Sequence, residues 1–193
     1  MINVFAFPGV GRLAGRIMAS KNREAEQEAV EALAPEPRDA VLVLGFGPGV
    51  GIELLADAVP HGWIGGVDPA GPMVRAAAAR NRGSVARGQV RLEAAPADAL
   101  PWGAATFDGA LAVNSIQMWE PLDDSLAEVA RVLRPGAKLV TLTHDWALRH
   151  GHASVDAWWE SIAPRLAAAG FTAAERWTAR AEDGTAVGMT ATR

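Results

Sequence analysis

A chain of 193 residues, half of them apolar, is the usual size of one domain and long enough to bury a sizeable core. Its formal net charge of −4 argues against a dedicated nucleic-acid binder, which would carry a basic surplus. There is no cysteine, so disulfides and thiolate metal sites are excluded.

Residues 1–9 are apolar and end in Pro8-Gly9, without the basic region and small-residue cleavage site of a signal peptide. No apolar stretch approaches the roughly 20 residues that span a bilayer. A cytoplasmic location without stable membrane insertion is therefore expected. A helix is predicted from Val10 to Leu33, basic at first (Arg12, Arg16, Lys21, Arg23) and acidic later (Glu24, Glu26, Glu28, Glu31), and stopped by Pro35 and Pro37. Residues 1–37 read as a helical lid on a core of residues 38–193, the whole forming a single domain. The other reading of the apolar-then-basic start is a helix lying on a membrane surface.

From Ala40 onward, strands and helices alternate. Val41–Leu44 is a continuous apolar run, as in a strand buried on both faces of a parallel sheet. Val50–Val59 reads as a helix stopped by Pro60 and Gly62, and Trp63–Val67 as a second strand. Pro72–Arg80 reads as a helix with proline near its start, where a missing N–H costs nothing. Val90–Glu93 alternates apolar and charged residues, which suits an edge strand. Phe107–Val113 is the fourth strand. Asp123 or Asp124 is expected to cap the next helix, whose apolar residues Leu122, Leu126, Val129 and Leu133 share a face, and Pro135-Gly136 to end it. Lys138–Thr143 is the fifth strand, and Val155–Ala169 a helix ended by Gly170. Trp158 and Trp159 on that helix cannot both face the core, so one is left for a pocket or a dimer surface. In the tail, Trp177, Ala179 and Ala181, then Val187, Met189 and Ala191, alternate with polar residues around Asp183-Gly184, which predicts an antiparallel hairpin.

The most informative stretch is Val41-Leu-Val-Leu-Gly45-Phe-Gly47-Pro-Gly49-Val-Gly51. It sets a glycine turn between a buried strand and a helix N-terminus that offers free N–H groups. In an open parallel sheet, ligands bind at the carboxyl ends of the strands, where the strand order reverses. A dinucleotide fingerprint needs a third glycine three residues after the second, but Val50 or Ile52 stands there; a phosphate loop needs Gly-Lys-Ser/Thr, which is absent. Asp68 ends the second strand, where a carboxylate can accept from both hydroxyls of a ribose or cap the following helix.

The spacing Gly45, Gly47, Gly49 resembles the first motif of the class I S-adenosylmethionine (SAM)-dependent methyltransferases. Ala97-Asp98-Ala99-Leu100-Pro101-Trp102 is similar to that family's adenine-side loop, Phe107–Asn114 to its fourth strand, and Leu133-Arg-Pro-Gly136-Ala to the turn into its fifth. The likeness covers about residues 38–193 and is nearest to small members akin to the ubiquinone/menaquinone C-methyltransferases. Arg16-Ile-Met18 and Asn22 also look like the start of compact bacterial members. The resemblance implies an α/β, Rossmann-like, seven-stranded mostly parallel sheet with helices on both faces and a C-terminal antiparallel hairpin. It implies SAM as cofactor, S-adenosylhomocysteine as product, and Gly45, Phe46, Gly47, Gly49, Asp68, Pro69, Ala97, Asp98, Asn114, Met18 and Asn22 as cofactor-binding residues. Two positions depart from the family: Val43 stands where an acidic residue usually helps hold the methionyl amino group, and Pro96 where the adenine loop often starts with Asp or Glu.

Methyl transfer needs alignment of the acceptor more than acid–base chemistry, and a base only where the acceptor must lose a proton. His144 is the general-base candidate because its ordinary pKa is near neutral; a hydrogen-bonded structural role is the other reading. Gln117, Trp119 and Asp145 are the substrate-side candidates. Gln117 and Asn114 either orient ligand or pair with loop backbone. Trp119 either stacks on a flat or cationic substrate or packs the loop. Asp145 either orients His144 or caps the next element. His150 and His152 share a loop with Arg149 and lack a matching third ligand, so no metal site is predicted. A monomer or homodimer acting on a small molecule, with an apolar one among the candidates, is expected; a catalytically inactive SAM-binding or interaction protein of the same fold is the alternative.

Overall fold

The computed structural model describes residues 23–148, 154–181 and 184–193. Strand β1 (Ala40–Leu44) lies at the centre, and all five of its residues are buried. Strand geometry sends successive side chains to opposite faces. Leu42 and Leu44 join a core with Phe107, Leu126 and Leu139, whereas Val41 and Val43 join a second core with Ala25, Ala29, Leu33, Ile52 and Leu55. Helices α1 (Arg23–Leu33) and α2 (Val50–Ala58) cover the second face.

The other strands are β2 (Trp63–Val67), β3 (Val90–Glu93), β4 (Phe107–Val113), β5 (Leu133–His144), β6 (Thr172–Ala181) and β7 (Gly184–Thr192). Their order across the sheet is β3-β2-β1-β4-β5-β7-β6, with the first five parallel and β7 antiparallel to both its neighbours. This is the expected seven-stranded, mostly parallel sheet with its antiparallel hairpin, and Val90–Glu93 is the expected edge. The chain runs outward from β1 through β2 and β3, then returns to place β4 on the other side of β1. The resulting switch point opens a crevice at the carboxyl ends of β1 and β4.

Helices α3 (Gly71–Arg80) and α4 (Arg82–Ala86) lie between β2 and β3; α5 (Leu122–Val132), α6 (Asp145–Leu148) and α7 (Val155–Ala168) follow β4 and β5. Helices α5 and α7 bury Leu126, Val129, Trp158, Ile162 and Leu166 on the first core. Ser154 caps α7, its Oγ accepting from the Ala157 N–H at 3.1 Å. Trp158 is buried and Trp159 packs half-buried beside it, so both tryptophans serve the first core.

Several local expectations are corrected. Pro121, not Asp123 or Asp124, is the N-cap of α5, and its carbonyl accepts from the Ser125 N–H and hydroxyl at 3.1 and 2.8 Å. The two aspartates stand in the first turn, where negative charge meets the positive end of the helix dipole, and Asp123 pairs with Arg165 of α7 at 2.6 Å. Pro135-Gly136 does not end α5: the helix stops at Val132, and Leu133 already pairs with Phe107 of β4. Proline and glycine sit instead in an irregularity of β5, with Gly136 at φ 86° donating to the Arg193 carbonyl at 2.7 Å. The fifth strand is consequently longer than Lys138–Thr143 and takes in His144. Helix α4 was not expected. Of the Val10–Leu33 helix only α1 is described; Met18, Asn22, Arg149, His150 and His152 lie outside the described residues.

Candidate cofactor site

The loop from β1 to α2 crosses the crevice. Gly45, at φ 67°, donates its N–H to the Val67 carbonyl of β2 at 2.8 Å. A Cβ at Gly45 would stand 2.4 Å from Cβ of Ser115, so only glycine lets the β1 and β4 loops approach this closely. Ser115 completes that junction by donating its hydroxyl to the Leu44 carbonyl at 2.7 Å.

Asp68 closes the loop from the β2 side. Its Oδ2 accepts from the Gly47 N–H and its Oδ1 from the Ala70 N–H, both at 2.9 Å. Burial pushes its pKa up, against the downward pull of those two N–H groups. A carboxylate has about four lone-pair sites, so about two remain for a ligand. Asp68 thus tethers the glycine loop and also holds the approach to α3, whose N-cap is Ala70.

Beneath these loops lies a cavity of about 500 Å³, a size that encloses a drug-sized ligand. Gly45, Phe46, Gly47, Asp68, Pro69, Ala97, Asp98, Asn114 and Trp119 all line it, as does Pro96. Gly49 is not on the wall. It caps α2 and is packed against α3, its carbonyl accepting from Asn81 Nδ2 at 3.0 Å.

Beyond β4, Asn114 adopts φ 52°. Its Oδ1 accepts from the His144 backbone N–H at 3.0 Å and lies 2.9 Å from His144 Nδ1. A backbone N–H can only donate, so that oxygen is an acceptor, and the histidine proton is placed on Nδ1. Asn114 Nδ2 is left buried with no partner among the described residues, which leaves an unused donor on a residue of the cavity wall. His144 itself is buried and does not line the cavity; neither do Gln117 and Asp145. Gln117 Oε1 accepts from the Thr143 hydroxyl at 3.5 Å.

Sequence reasoning missed two features. Glu128 and Arg131 of α5 form a two-pronged ion pair at 2.6 and 2.7 Å, and Glu128 Oε1 also accepts from the Leu100 N–H at 3.0 Å. The Arg131 guanidinium holds the Glu128 carboxyl below its usual pKa range. This pair ties the 97–100 loop to α5. The spacing of three on one helix was the available signal. The second feature is Glu26 of α1, which is buried and lines the cavity.

Residues 41–136 match the methyltransferase domain family. The chain belongs to the class I SAM-dependent methyltransferases. It is 29% identical over 126 residues to the uncharacterized methyltransferase YdaC of Bacillus subtilis, covering 65% of this chain and 67% of that one. It is 30% identical over 122 residues to the ubiquinone/menaquinone biosynthesis C-methyltransferase UbiE of Geobacter sulfurreducens, covering 63% and 48%. The chain thus spans two thirds of the first relative and about half of the second. In fold it resembles a SAM-dependent methyltransferase of Aquifex aeolicus, with a TM-score of 0.74 at 18% identity over 93% and 96% of the two chains.

SAM is the cofactor of this methyltransferase family, and the donor set fits it: the spare lone pairs of Asp68 suit a ribose diol, and the orphan Asn114 amide suits an acceptor group. Among the described residues no cluster of three or more His, Asp or Glu could hold a metal ion, and no helix is long and apolar enough to cross a membrane.

Proposed function

We propose that this methyltransferase transfers the methyl group of SAM to a small, neutral or cationic acceptor with an apolar body. The carrying observation is the composition of the cavity wall. Its described titratable residues are Glu26, Asp68, Asp98 and Glu120, with no lysine, arginine or histidine among the described lining residues, and Val67, Met73, Val113, Met118 and Trp119 supply apolar surface. An anionic acceptor would meet only like charge there, whereas a flat or cationic one can stack on Trp119.

When bound, SAM supplies a methyl already activated on a sulfonium. The chain's own work is then to position and to exclude water. In this reading Asp68 holds the ribose, Pro69, Ala97 and Asp98 flank the adenine, and Gly45, Phe46 and Gly47 bed the methionyl arm. Asn114 donates Nδ2 to the ligand, and His144 fixes its orientation through Oδ1. His144 is therefore a positioning residue here. Any proton that the acceptor must lose passes to a wall carboxylate, Asp98 or Glu120. Gln117 and Asp145 support the acceptor side from behind.

The test is methyl transfer from radiolabelled SAM to a panel of small aromatic amines, phenols and carboxylic acids. Transfer to amines or phenols over acids is expected. Preference for the acids, or no transfer to any member, would overturn this reading.

A further inference from the structure

Helix α1 presents Ala25, Ala29 and Leu33 to Val41 and Val43 of β1. Glu26 lies on the same inward side, only 8% exposed. Its Oε2 would stand 2.3 Å from a Cβ on Gly51, so glycine in the first turn of α2 makes the room for this carboxylate. No described hydrogen bond or ion pair ends on it. Among the described residues, Arg23 of the same helix and Arg80 of α3 both reach Glu53 instead, at 3.3 and 3.5 Å. The other titratable side chains on the wall are Asp68, Asp98 and Glu120, all acids. Burial pushes Glu26 up to about 8.

A buried acid without a partner is costly, and an apolar residue or glutamine in its place would relieve the cost. It lines the same cavity as Gly45, Phe46 and Gly47, where the proposed function beds the methionyl arm, whose only amine is a primary ammonium. Val43, on the strand leading into that loop, carries no charge. We propose that Glu26, reaching in from the N-terminal helix, is the carboxylate that pairs with the methionyl ammonium of the cofactor. Cofactor binding then closes an ion pair between Glu26 of α1 and the ammonium of the ligand bedded on the glycine loop. This assignment rests on the SAM-binding reading of the cavity.

Two probes separate the assignment from that reading. S-adenosylhomocysteine keeps the ammonium and lacks the sulfonium; 5′-methylthioadenosine keeps the adenosine and lacks the amino-acid arm. In calorimetric titrations of the full chain, Glu26→Gln should weaken S-adenosylhomocysteine on the order of 30-fold or more and leave methylthioadenosine within about threefold of the parent. At pH 7, S-adenosylhomocysteine should also release close to one proton from the parent protein, read from the dependence of heat on buffer ionisation, and methylthioadenosine none. That second measurement needs no variant and stands if Glu26→Gln fails to fold. Unchanged affinity for S-adenosylhomocysteine in the variant, equal weakening of both probes, or no proton released would overturn the proposal. Failure of the parent to bind either probe would instead overturn the SAM-binding reading beneath it.

Discussion

The two walls of the crevice are built differently. On the β1–β2 side, the loop is held by bonds to main-chain groups: Gly45 to Val67, Gly47 to Asp68, and Ser115 to Leu44. Phe46, Asp68 and Ser115 there are buried. On the side that follows β4, the wall ends in the exposed apolar side chain of Met118, at 69%. Bonds that end on the main chain, together with the glycine at position 45, fix one geometry, while exposed side chains change without disturbing the fold. The first wall therefore suits a constant ligand, the cofactor, and the second a ligand that differs between relatives.

The largest expected effect comes from breaking the first wall. Gly45→Ala forces a Cβ onto Ser115 at a residue with left-handed φ, and should destabilise the protein by about 2–4 kcal/mol, read by denaturant unfolding. It should also weaken SAM binding, because the β1 and β4 loops must separate. A variant as stable and as tight-binding as the parent would show that the close approach is dispensable.

Glu26 comes next and sharpens the comparison through pH. Its folded pKa of about 8 lies above its ordinary value of 4.5. The unfolded chain thus ionises first, and the contribution of Glu26 is fully present below about pH 4.5 and lost as pH rises through 8. Between these limits the unligated protein should lose up to about 1.4 kcal/mol per pH unit from this group. Unfolding at pH 5 and pH 8 should show Glu26→Gln gaining on the parent as pH rises. Parallel profiles would mean that Glu26 is not held as a neutral acid.

A smaller effect is expected at the 97–100 loop. Glu128→Ala releases the Leu100 N–H and Arg131 from a partly exposed pair, so a loss of about 1 kcal/mol or less is expected, with a few-fold weaker affinity for methylthioadenosine. The smallest belongs to the second wall. Met118→Ala should leave stability within about 0.5 kcal/mol and cofactor affinity unchanged, and act on the KM for the acceptor alone. An equal loss for cofactor would place Met118 on the wrong wall.

Local patterning explains what the sequence makes readable. Strand β1 reads as buried because five apolar residues stand in a row. The hairpin reads from its alternation, and Asp68 from its place at a strand end. Glu26 did not stand out because Glu24, Glu28 and Glu31 on the same helix have the same chemistry; only its burial against Gly51 of α2 separates it from them. A signal was there, since 25, 29 and 33 form a small-apolar stripe and 26 lies beside it. The cap at Pro121 was missed because aspartate is the commoner cap, and the pairing of Asp123 with Arg165 is a contact between helices far apart in sequence. Pro135-Gly136 reads as a helix stop by local rules, yet β4 draws Leu133 into the sheet before the proline is reached. His144 shows the same limit: its titration range suggests a base, but β5 carries it past the cavity and turns its Nδ1 to Asn114.

The central claim, that the crevice at Asp68 binds SAM, is tested most directly by calorimetric titration of the parent and Asp68→Ala with SAM and S-adenosylhomocysteine, with NAD as control. The account predicts micromolar binding of both adenosyl ligands, no heat from NAD, and on the order of 100-fold weaker binding in the variant, or about 3 kcal/mol for lost charge-assisted hydrogen bonds. Binding of NAD in preference to SAM, or a variant that binds SAM as tightly as the parent, would contradict it.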